Sequence, residues 1–263
     1  MIDYCLDRSG DLVRIETALL AASNLLDNFA EGAIASTRKV NLDPVTEADL
    51  ALDQLLRELL VDVGEGWLSE EARDDRSRLR LKRVWVVDPL DGTKEFVAGI
   101  PEWCVAVGLV EDGIAVAGGI LNPAAGFLAL GALGAGCRLN GIDAAPSDTA
   151  TLEKATILAS RTEVDRGEWD YWAKSGLQIQ AMGSVAYKLA RVACGLADAT
   201  WTLVPKNEWD VAAGVALINA SGGRVVSSDG SDPRFNQASS LLPGLIASGP
   251  KLFDALKRAL LAA

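Results

Sequence analysis

Residues 88–93 read Asp-Pro-Leu-Asp-Gly-Thr and directly follow the apolar run of residues 84–87. The carboxylates of Asp88 and Asp91 lie three positions apart around a turn, so both can converge on one hard cation. The Leu90 carbonyl between them can point at the same ion. A buried strand ending on these acids places them where α/β folds bind ligands. The segment predicts a cation site, with an ordinary Asp-Gly turn as the alternative interpretation.

Backbone amides after the two acids can bind a phosphate group. Gly92 lets the backbone approach a ligand closely, because glycine has no side chain. If a helix starts here, the amides of Gly92, Thr93 and Lys94 offer N–H donors at the positive end of the helix dipole. The segment therefore combines a candidate cation site with a candidate phosphate site.

Acidic residues in three other segments are candidates for the same site. Glu70 belongs to a Ser-Glu-Glu sequence upstream, and Asp210 precedes a run of small residues that is expected to be helical. Asp49 lies in the first turn of a helix that Thr46 or a neighbour can cap. Each acid also has a purely structural interpretation: surface charge for Glu70, an N-cap for Asp210 and a solvated first-turn acid for Asp49. The neighbouring Glu208 has no clear role in the sequence.

The chain of 263 residues contains no histidine. Ser-His and Cys-His nucleophile pairs and imidazole metal ligands are therefore excluded. Four cysteines, Cys5, Cys104, Cys137 and Cys194, form no C-x-x-C pair, so neither a zinc site nor a redox dithiol is indicated. We expect partly buried thiols in a reduced compartment. Catalysis must then depend on carboxylates, hydroxyls, lysines, backbone amides or a bound metal.

Together, these acidic segments resemble the lithium-sensitive, magnesium-dependent phosphomonoesterase superfamily that includes inositol monophosphatases and 3'(2'),5'-bisphosphate nucleotidases. Its D-P-[IL]-D-G-T and W-D-x-A-[AG] signatures are both present in order, and the resemblance covers nearly the whole chain. It implies an α/β (α+β) fold of the layered αβαβα sugar-phosphatase type. An N-terminal helix pair would pack on a mainly antiparallel sheet, a C-terminal α/β lobe would follow, and the active site would lie between the two lobes.

The resemblance also implies a role for each site residue. The implied magnesium ligands all bind through oxygen, as hard Mg²⁺ prefers: Glu70, Asp88, the Leu90 carbonyl, Asp91 and Asp210. Two or three ions would neutralise the phosphate and lower the pKa of a water that attacks phosphorus. Thr93, hydrogen-bonded to Asp49, would orient and deprotonate that water with help from Glu70.

Several features favour the bisphosphate nucleotidase branch of this superfamily. Lys94-Glu95-Phe96 resembles that branch more than the Thr-Asn-Phe of the inositol enzymes, and residues 234–236 resemble its adenosine-phosphate loop. Gly183, Ser184 and Lys188 resemble its G-S-x-x-x-K pattern, whose serine and lysine lie near the substrate. The implied reaction removes the 3'-phosphate of adenosine 3',5'-bisphosphate or its phosphosulfate relative. The implied substrate contacts are Gly92, Thr93, Lys94, Ser184 and Lys188.

Other substrates and classes stay open. Residues 99–102 are closer to sugar- and amino-alcohol-phosphate members, so inositol 1-phosphate, fructose 1,6-bisphosphate and histidinol phosphate are alternative substrates. Lys188 is equally well interpreted as a surface cation of a helix. An aspartyl-nucleophile phosphatase needs D-x-D-x-T, one residue shorter than the D-x-x-D-x-T found here. A metal-binding interaction protein without turnover is disfavoured because every motif carboxylate is intact.

The predicted elements must bring these segments together. Apolar spacing predicts one helix over residues 11–30 and a second from Thr46 onward, both preceding any strand. Strands at residues 103–110, 114–121 and 127–130 would extend an antiparallel sheet, the first two joined by a Glu-Asp-Gly hairpin. Beyond a lobe boundary near residue 150, dividing 1–150 from 151–263, strands and helices alternate, with one helix near residues 168–175. Trp85 and Trp209 are expected behind the site, and Trp169 and Trp172 at a surface or interface.

Charge and composition limit the partners. Lys and Arg number 25 against 36 Asp and Glu, and the net charge of −11 disfavours a nucleic-acid polymer. We expect a small phosphorylated substrate instead. Residues 113–137 are uncharged, but glycine, proline and asparagine interrupt them, so no membrane span is expected. The start of the chain lacks a basic, apolar leader, which favours the cytoplasm. A homodimer is common in relatives and compatible with the apolar content.

Overall fold

The computed structural model describes residues 7–29, 37–38 and 44–262, with the backbone alone at residues 37–38, 44–45 and 262. The helices are α1 (Ser9–Leu26), α2 (Glu47–Leu60), α3 (Thr93–Ala98), α4 (Arg161–Asp165), α5 (Asp170–Lys174), α6 (Val185–Ala193), α7 (Glu208–Ala220) and α8 (Phe253–Ala262). The first strands are β1 (Thr37–Arg38), β2 (Pro44–Val45), β3 (Gly66–Ser69), β4 (Arg83–Asp91), β5 (Cys104–Glu111), β6 (Ile114–Asn122), β7 (Phe127–Ala132), β8 (Gly136–Leu139) and β9 (Ile142–Ala144). The later strands are β10 (Thr156–Ser160), β11 (Gln178–Met182), β12 (Ala199–Thr202), β13 (Lys206–Asn207), β14 (Arg224–Ser227), β15 (Leu241–Leu242) and β16 (Leu245–Ser248).

The larger sheet has seven strands in the order β3-β4-β5-β6-β7-β8-β9. Strand β3 runs parallel to β4, and all other neighbours are antiparallel. The turn between β5 and β6 has positive φ at both Asp112 (49°) and Gly113 (79°), as the hairpin signal predicts. The expected mainly antiparallel sheet is therefore confirmed.

Helices α1 and α2 cover one face of this sheet. The buried side chains of α1 recur at helical spacing, from Ile15 through Leu19 to Leu26, and pack with α2 against inward-facing residues of the strands. Helix α2 begins where the Thr46 hydroxyl accepts the amide of Ala48, and the Asp49 carboxylate accepts the amide of Thr46 at 2.8 Å. The N-terminal helix pair is as predicted.

Helix α7 lies against the opposite face and is apolar nearly all round, which is typical of a helix buried between two layers. Its backbone approaches the sheet closely at two glycines. A Cβ atom at Gly118 would lie 2.6 Å from the Ala213 carbonyl oxygen, and one at Gly108 would lie 2.9 Å from the Ala213 amide nitrogen. These glycines fix how deeply α7, and with it Asp210, sits against the sheet.

The second sheet has five strands in the order β11-β10-β12-β16-β14. Strand β10 pairs in parallel with β11 and β12, whereas β16 is antiparallel to β12 and β14. Helices α6 and α7 fill the space between the sheets, and α8 packs outside the second sheet with Trp169, Trp201 and Phe253. The order of layers is therefore αβαβα, as the resemblance implied.

Some local expectations are wrong. The short pair β1–β2 precedes α2, so two helices do not come before any strand. The helix expected near 168–175 is found as α5, but the short helix α4 before it was not predicted. Trp169 is only 5% exposed, because it packs against Trp201 with ring centroids 4.5 Å apart.

The proposed boundary at 150 falls between β9 and β10. Cys5 lies outside the described residues. No helix in the described ranges is long and apolar enough to cross a bilayer.

Candidate active site

Strand β4 carries the Asp-Pro-Leu-Asp sequence through its irregular end. The pairing of β4 with β5 shifts register between Asp88 and Asp91, so the chain bends where the two acids lie. Gly92 follows with φ 96°, and a Cβ atom there would lie 3.0 Å from the Glu102 carbonyl oxygen. Helix α3 then begins at Thr93. Glycine is required at position 92 for both reasons, conformation and space.

A cavity of about 280 Å³ opens at this end of the strand. Its wall comes from β4, α3, the end of β3, the start of α6, and the junction of β13 with α7. The lining residues are Glu70, Asp88, Leu90, Asp91, Gly92, Thr93, Lys94, Glu95, Val185, Lys206, Asn207 and Asp210. The structure therefore brings together, in one cavity, the five residues that were expected to bind metal.

Four of the five acids that line this cavity, Glu70, Asp88, Asp91 and Asp210, repel one another. Burial raises the pKa of Asp88 well above its usual value, and the charges of Glu70, Asp91 and Asp210 raise it further. Burial likewise raises the pKa of Asp210 to about 8, with Asp91 and Glu70 adding to the shift. A cation in the cavity would relieve this repulsion and restore ionised carboxylates.

Asp91 is held from the other side of the cavity by α6. Its Oδ2 atom accepts the Ser184 hydroxyl at 2.6 Å and the Ala186 amide at 2.7 Å. Burial raises the pKa of Asp91, and the hydrogen bond from Ser184 opposes that shift. Ser184 has φ 49° and ψ 117°, which is uncommon for a residue with a side chain. The structure thus places Ser184 against a carboxylate, where the sequence pattern suggested substrate.

Thr93 and Asp49 are in contact although 44 residues separate them. The Thr93 hydroxyl lies 3.1 Å from Asp49 Oδ1 and 3.0 Å from the Leu90 carbonyl oxygen, and its one proton can serve only one acceptor at a time. The other oxygen of Asp49 accepts the amide and the hydroxyl of Thr46. The capping hydrogen bonds at the start of α2 fix the Asp49 carboxylate. The Thr93–Asp49 pair therefore has a defined orientation.

The donor set suits magnesium. Carboxylate and carbonyl oxygens are the ligands that hard Mg²⁺ prefers, and the sequence offers no imidazole to compete. Among the described side chains, no three acidic or cysteine groups already lie close enough together to hold an ion. Magnesium commonly binds through one or two carboxylates and keeps several waters, so it does not need such a cage. The residues present therefore fit Mg²⁺.

Two residues of the cavity wall, Lys206 and Asn207, were not found from the sequence. They form the two-residue strand β13, which is paired with β15 some 35 residues later, and so short a strand gives no sequence pattern. Lys188 lies outside the acidic cavity and lines a neighbouring pocket with Lys206.

Glu208 has a structural role outside the cavity. It is completely buried, and its two oxygens accept the amides of Asn236 at 2.7 Å and Gln237 at 2.8 Å. The side chain of Asn236 in turn accepts a hydrogen bond from Arg78 at 2.8 Å. The loop that resembles an adenosine-phosphate loop therefore binds to Glu208 and Arg78, and its residues do not line the acidic cavity.

Comparison with known proteins agrees with this fold. The family model "Inositol monophosphatase family" matches residues 9–260. An inositol-1-monophosphatase of Caulobacter vibrioides is 33% identical over 257 residues, 93% of this chain and 100% of that protein. A 3'-phosphoadenosine 5'-phosphate phosphatase of Mycobacterium leprae is 30% identical and covers 86% of each chain. The solved structure of an inositol monophosphatase from Anabaena (Nostoc) superposes with a TM-score of 0.78 at 28% identity, covering 97% of this chain and 96% of that one.

The family match and the phosphatases among the relatives identify the class as phosphoric monoester hydrolase. The chain belongs to the inositol monophosphatase family. The resemblance stated from the sequence is thereby confirmed, and so is the enzyme class. Members of this family are generally dependent on Mg²⁺ and sensitive to Li⁺.

Proposed function

We propose that this phosphatase removes the 3'-phosphate of adenosine 3',5'-bisphosphate, or of its phosphosulfate relative, at the acidic cavity. The observation that carries the chemistry is the meeting of Glu70, Asp88, Asp91 and Asp210 around one opening with the start of α3. The observation that favours this substrate is the buried cation Lys188, which lies close enough to Asp91 for the carboxylate charge to raise the pKa of the lysine. The similar phosphatase of Mycobacterium leprae, named for this substrate, supports the same choice.

In this proposal, magnesium binds through Glu70, Asp88, the Leu90 carbonyl, Asp91 and Asp210, in two or three sites. Bound magnesium supplies charge neutralisation of the phosphate and a lower pKa for the attacking water. Asp91 can offer its Oδ1 atom, because Oδ2 already accepts the Ser184 hydroxyl and the Ala186 amide. Ser184 therefore positions a ligand instead of contacting substrate.

The residues of this chain also bind the phosphate and activate the water. The amides at the start of α3, at Gly92, Thr93 and Lys94, can donate to phosphate oxygens in the cavity. The Thr93 hydroxyl accepts a hydrogen bond from the water when it donates its own proton to Asp49. Asp49 then acts through Thr93 as the acceptor of the water's proton, with Glu70 assisting from the cavity wall. No covalent phosphoenzyme is required.

Hydrolysis of inositol 1-phosphate is the second candidate. This candidate is supported by the name of the Caulobacter relative. That protein matches this chain over the relative's full length at 33% identity. The catalytic assignments are the same for both substrates, because they concern only the phosphate, the metal and the water. The two candidates differ in what binds the rest of the substrate. Fructose 1,6-bisphosphate and histidinol phosphate belong in the same substrate panel.

The test is phosphate release from adenosine 3',5'-bisphosphate and from inositol 1-phosphate, measured side by side with Mg²⁺, with EDTA and with added Li⁺. We expect the nucleotide to be hydrolysed with at least tenfold higher kcat/KM, no release in EDTA, and inhibition by Li⁺. A matched pair of variants, Asp91→Asn in the cavity and Glu16→Gln on the exposed face of α1, controls for loss of charge alone. Preference for inositol 1-phosphate would overturn the substrate, and release that is insensitive to EDTA would overturn the chemistry.

A further inference from the structure

Two buried ionic side chains, Glu208 and Arg78, lie outside the acidic cavity and have no part in the proposed chemistry. Glu208 is completely buried and Arg78 is 1% exposed, and neither lines the acidic cavity. Charged side chains are rarely buried to this extent unless they are paired, because their charges lose hydration. Each also lies near a candidate metal ligand in the sequence: Glu208 precedes Asp210 by two residues, and Arg78 follows Glu70 by eight.

Asn236 joins these two buried groups. Its backbone amide donates to Glu208 Oε2 at 2.7 Å, and its side-chain oxygen accepts the Arg78 guanidinium at 2.8 Å. Its side-chain amide donates to the backbone carbonyl oxygens of Arg78 at 3.2 Å and of Leu81 at 3.4 Å. Asn236 therefore connects Glu208 to the 3₁₀ turn Ser77–Arg80, which contains Arg78.

Further hydrogen bonds connect the same segments. The Gln237 amide donates to Glu208 Oε1 at 2.8 Å, and the Gln237 carbonyl oxygen accepts Arg78 at 3.0 Å. Asp74 binds the same guanidinium at 2.9 Å. Buried hydrogen-bond networks rigidify the segments that they join. These contacts form one network, the clamp network, which consists of Glu208, Asn236, Gln237 and Arg78.

The clamp network holds the start of α7 from the side away from the acidic cavity. Glu208 and Asp210 are two positions apart, and side chains at that spacing on a helix point in different directions. Glu208 accordingly contacts residues 236–237, whereas Asp210 lines the cavity. The Glu208 amide also donates to the Ser240 carbonyl oxygen at 2.7 Å, and the Asn207 amide donates to Asp210 Oδ2 at 3.0 Å. The first turn of α7 is therefore fixed on both sides.

Arg78 fixes the segment that follows Glu70. A Cβ atom at Gly66 would lie 3.0 Å from the Arg78 Cβ atom, so the 3₁₀ turn packs directly against the start of β3. Glu70 follows the last residue of β3, and the chain runs from the turn into β4, which contains Asp88. The clamp network thus links the segment between Glu70 and Asp88 to the helix that carries Asp210.

We infer that Glu208 and Arg78 are positioning residues of the active site, which together with Asn236 set the separation of Glu70 and Asp210 and thereby raise the affinity for Mg²⁺. Neither side chain lines the acidic cavity, so both act through the ligands. The inference rests on the proposed function, because it takes Glu70 and Asp210 as magnesium ligands. The alternative is that the clamp network stabilises the fold without affecting the metal site.

The first test compares two variants in which an amide replaces a carboxylate that accepts several N–H donors. Glu208→Gln leaves one backbone N–H without its acceptor. Glu65→Gln, the matched control, disrupts contacts with Arg83 and Trp85 at the start of β4, away from the acids at its end. We expect both variants to have a lower Tm. Only Glu208→Gln should weaken Mg²⁺ binding, about tenfold, in isothermal titration calorimetry without substrate.

Asn236→Gly decides the question if Glu208→Gln does not fold. Asn236 has φ 56°, which glycine adopts without strain, and glycine keeps the backbone N–H that donates to Glu208. The substitution removes the side-chain contacts with Arg78 and Leu81. We expect a Tm within a few degrees of wild type and Mg²⁺ binding about threefold weaker or more. The exposed Asn140, with φ 50°, provides the control Asn140→Gly, which should bind Mg²⁺ as the wild type does.

Kinetics provide a readout that a purely structural role would not change. In Glu208→Gln, the Mg²⁺ concentration for half-maximal phosphate release should rise with the calorimetric Kd, while kcat at saturating Mg²⁺ stays within about threefold of wild type. Wild-type Mg²⁺ affinity in either Glu208→Gln or Asn236→Gly, or equal weakening in Glu65→Gln, would overturn the inference. Absence of both Mg²⁺ binding and phosphate release in the wild type would instead refute the proposed function on which the inference rests.

Discussion

The depth at which α7 packs on the larger sheet should control both stability and metal dependence. A Cβ atom added at Gly118 would lie 2.6 Å from the Ala213 carbonyl oxygen and 3.0 Å from the Ala213 Cα atom. Both are backbone atoms of α7, so no rotamer change can relieve the overlap. Gly118→Ala therefore pushes the helix away from the sheet, and Asp210 lies on that helix three residues before Ala213.

The size of the effect follows from the overlap. Overpacking a buried site against backbone typically costs about 1–3 kcal/mol, and the closest contact here favours the upper end of that range. For a domain of this size, about 3 kcal/mol corresponds to a fall in Tm of roughly 5–10 °C. Displacement of Asp210 should also raise the Mg²⁺ concentration for half-maximal activity several-fold, because ligand geometry controls metal affinity.

The neighbouring Gly119 offers a matched variant on the opposite face. A Cβ atom there would collide with the ends of the Ile15 and Leu19 side chains, which belong to α1. Gly119→Ala should lower the Tm without changing the dependence of activity on Mg²⁺. Gly10→Ala, where nothing lies within 4 Å, is the control for the substitution itself. Differential scanning calorimetry and Mg²⁺ titration of initial rates provide the measurements.

Two results would refute this reasoning. A wild-type Tm in Gly118→Ala would show that α7 is not held against the sheet at the distance described. An equal change in Mg²⁺ dependence in Gly118→Ala and Gly119→Ala would show that general destabilisation, and not the position of Asp210, determines metal binding.

Two further substitutions test contacts near and far from the cavity. Burial raises the pKa of Glu65, but hydrogen bonds from Arg14 and Trp85 lower it overall to about 2. The ionised Glu65 therefore stabilises the fold above pH 4.5, and this effect is lost as the pH falls toward 2. Glu65→Gln should lower the free energy of unfolding by about 2 kcal/mol at pH 7 and should approach the wild-type value near pH 2. Urea denaturation at the two pH values measures both differences. Ser184→Ala removes a donor to Asp91 and should raise the required Mg²⁺ concentration ten- to hundredfold. Because Ser184 Oγ also caps α6 by accepting the Tyr187 amide at 3.0 Å, the Tm should fall by a few degrees; an unchanged Mg²⁺ titration would contradict the positioning role of Ser184.

The sequence predicted those parts of the site that depend on local pattern. The two acids at the end of β4, the glycine after them and the start of α3 are adjacent in the chain, so their spacing determines their geometry. The distant Thr93–Asp49 contact followed only from the resemblance to a family, because composition and periodicity contain no information about a contact across 44 residues. The layered fold was predicted in the same way and is confirmed.

The parts that were missed depend on tertiary packing. Lys206 reaches the cavity because β13 pairs with β15, and a two-residue strand has no periodicity to detect. Trp169 lies in a polar stretch, yet contact with Trp201 buries it. The role of Glu208 stayed open from the sequence, because its amide partners come from a loop 28 and 29 residues later. No local pattern distinguishes such residues from surface charge.

Under the proposed function, the acidic cavity binds the cation that phosphate ester hydrolysis requires. The most direct test is the initial rate of phosphate release as a function of Mg²⁺ concentration for the wild type and Asp88→Asn. Asp88 is buried, and its substitution by Asn removes one of the five carboxylates of the cavity wall without changing side-chain size. We predict a wild-type rate that requires Mg²⁺, and a rate at least a hundredfold lower in Asp88→Asn even at saturating Mg²⁺. Wild-type turnover by Asp88→Asn, or release that persists in EDTA, would contradict the account.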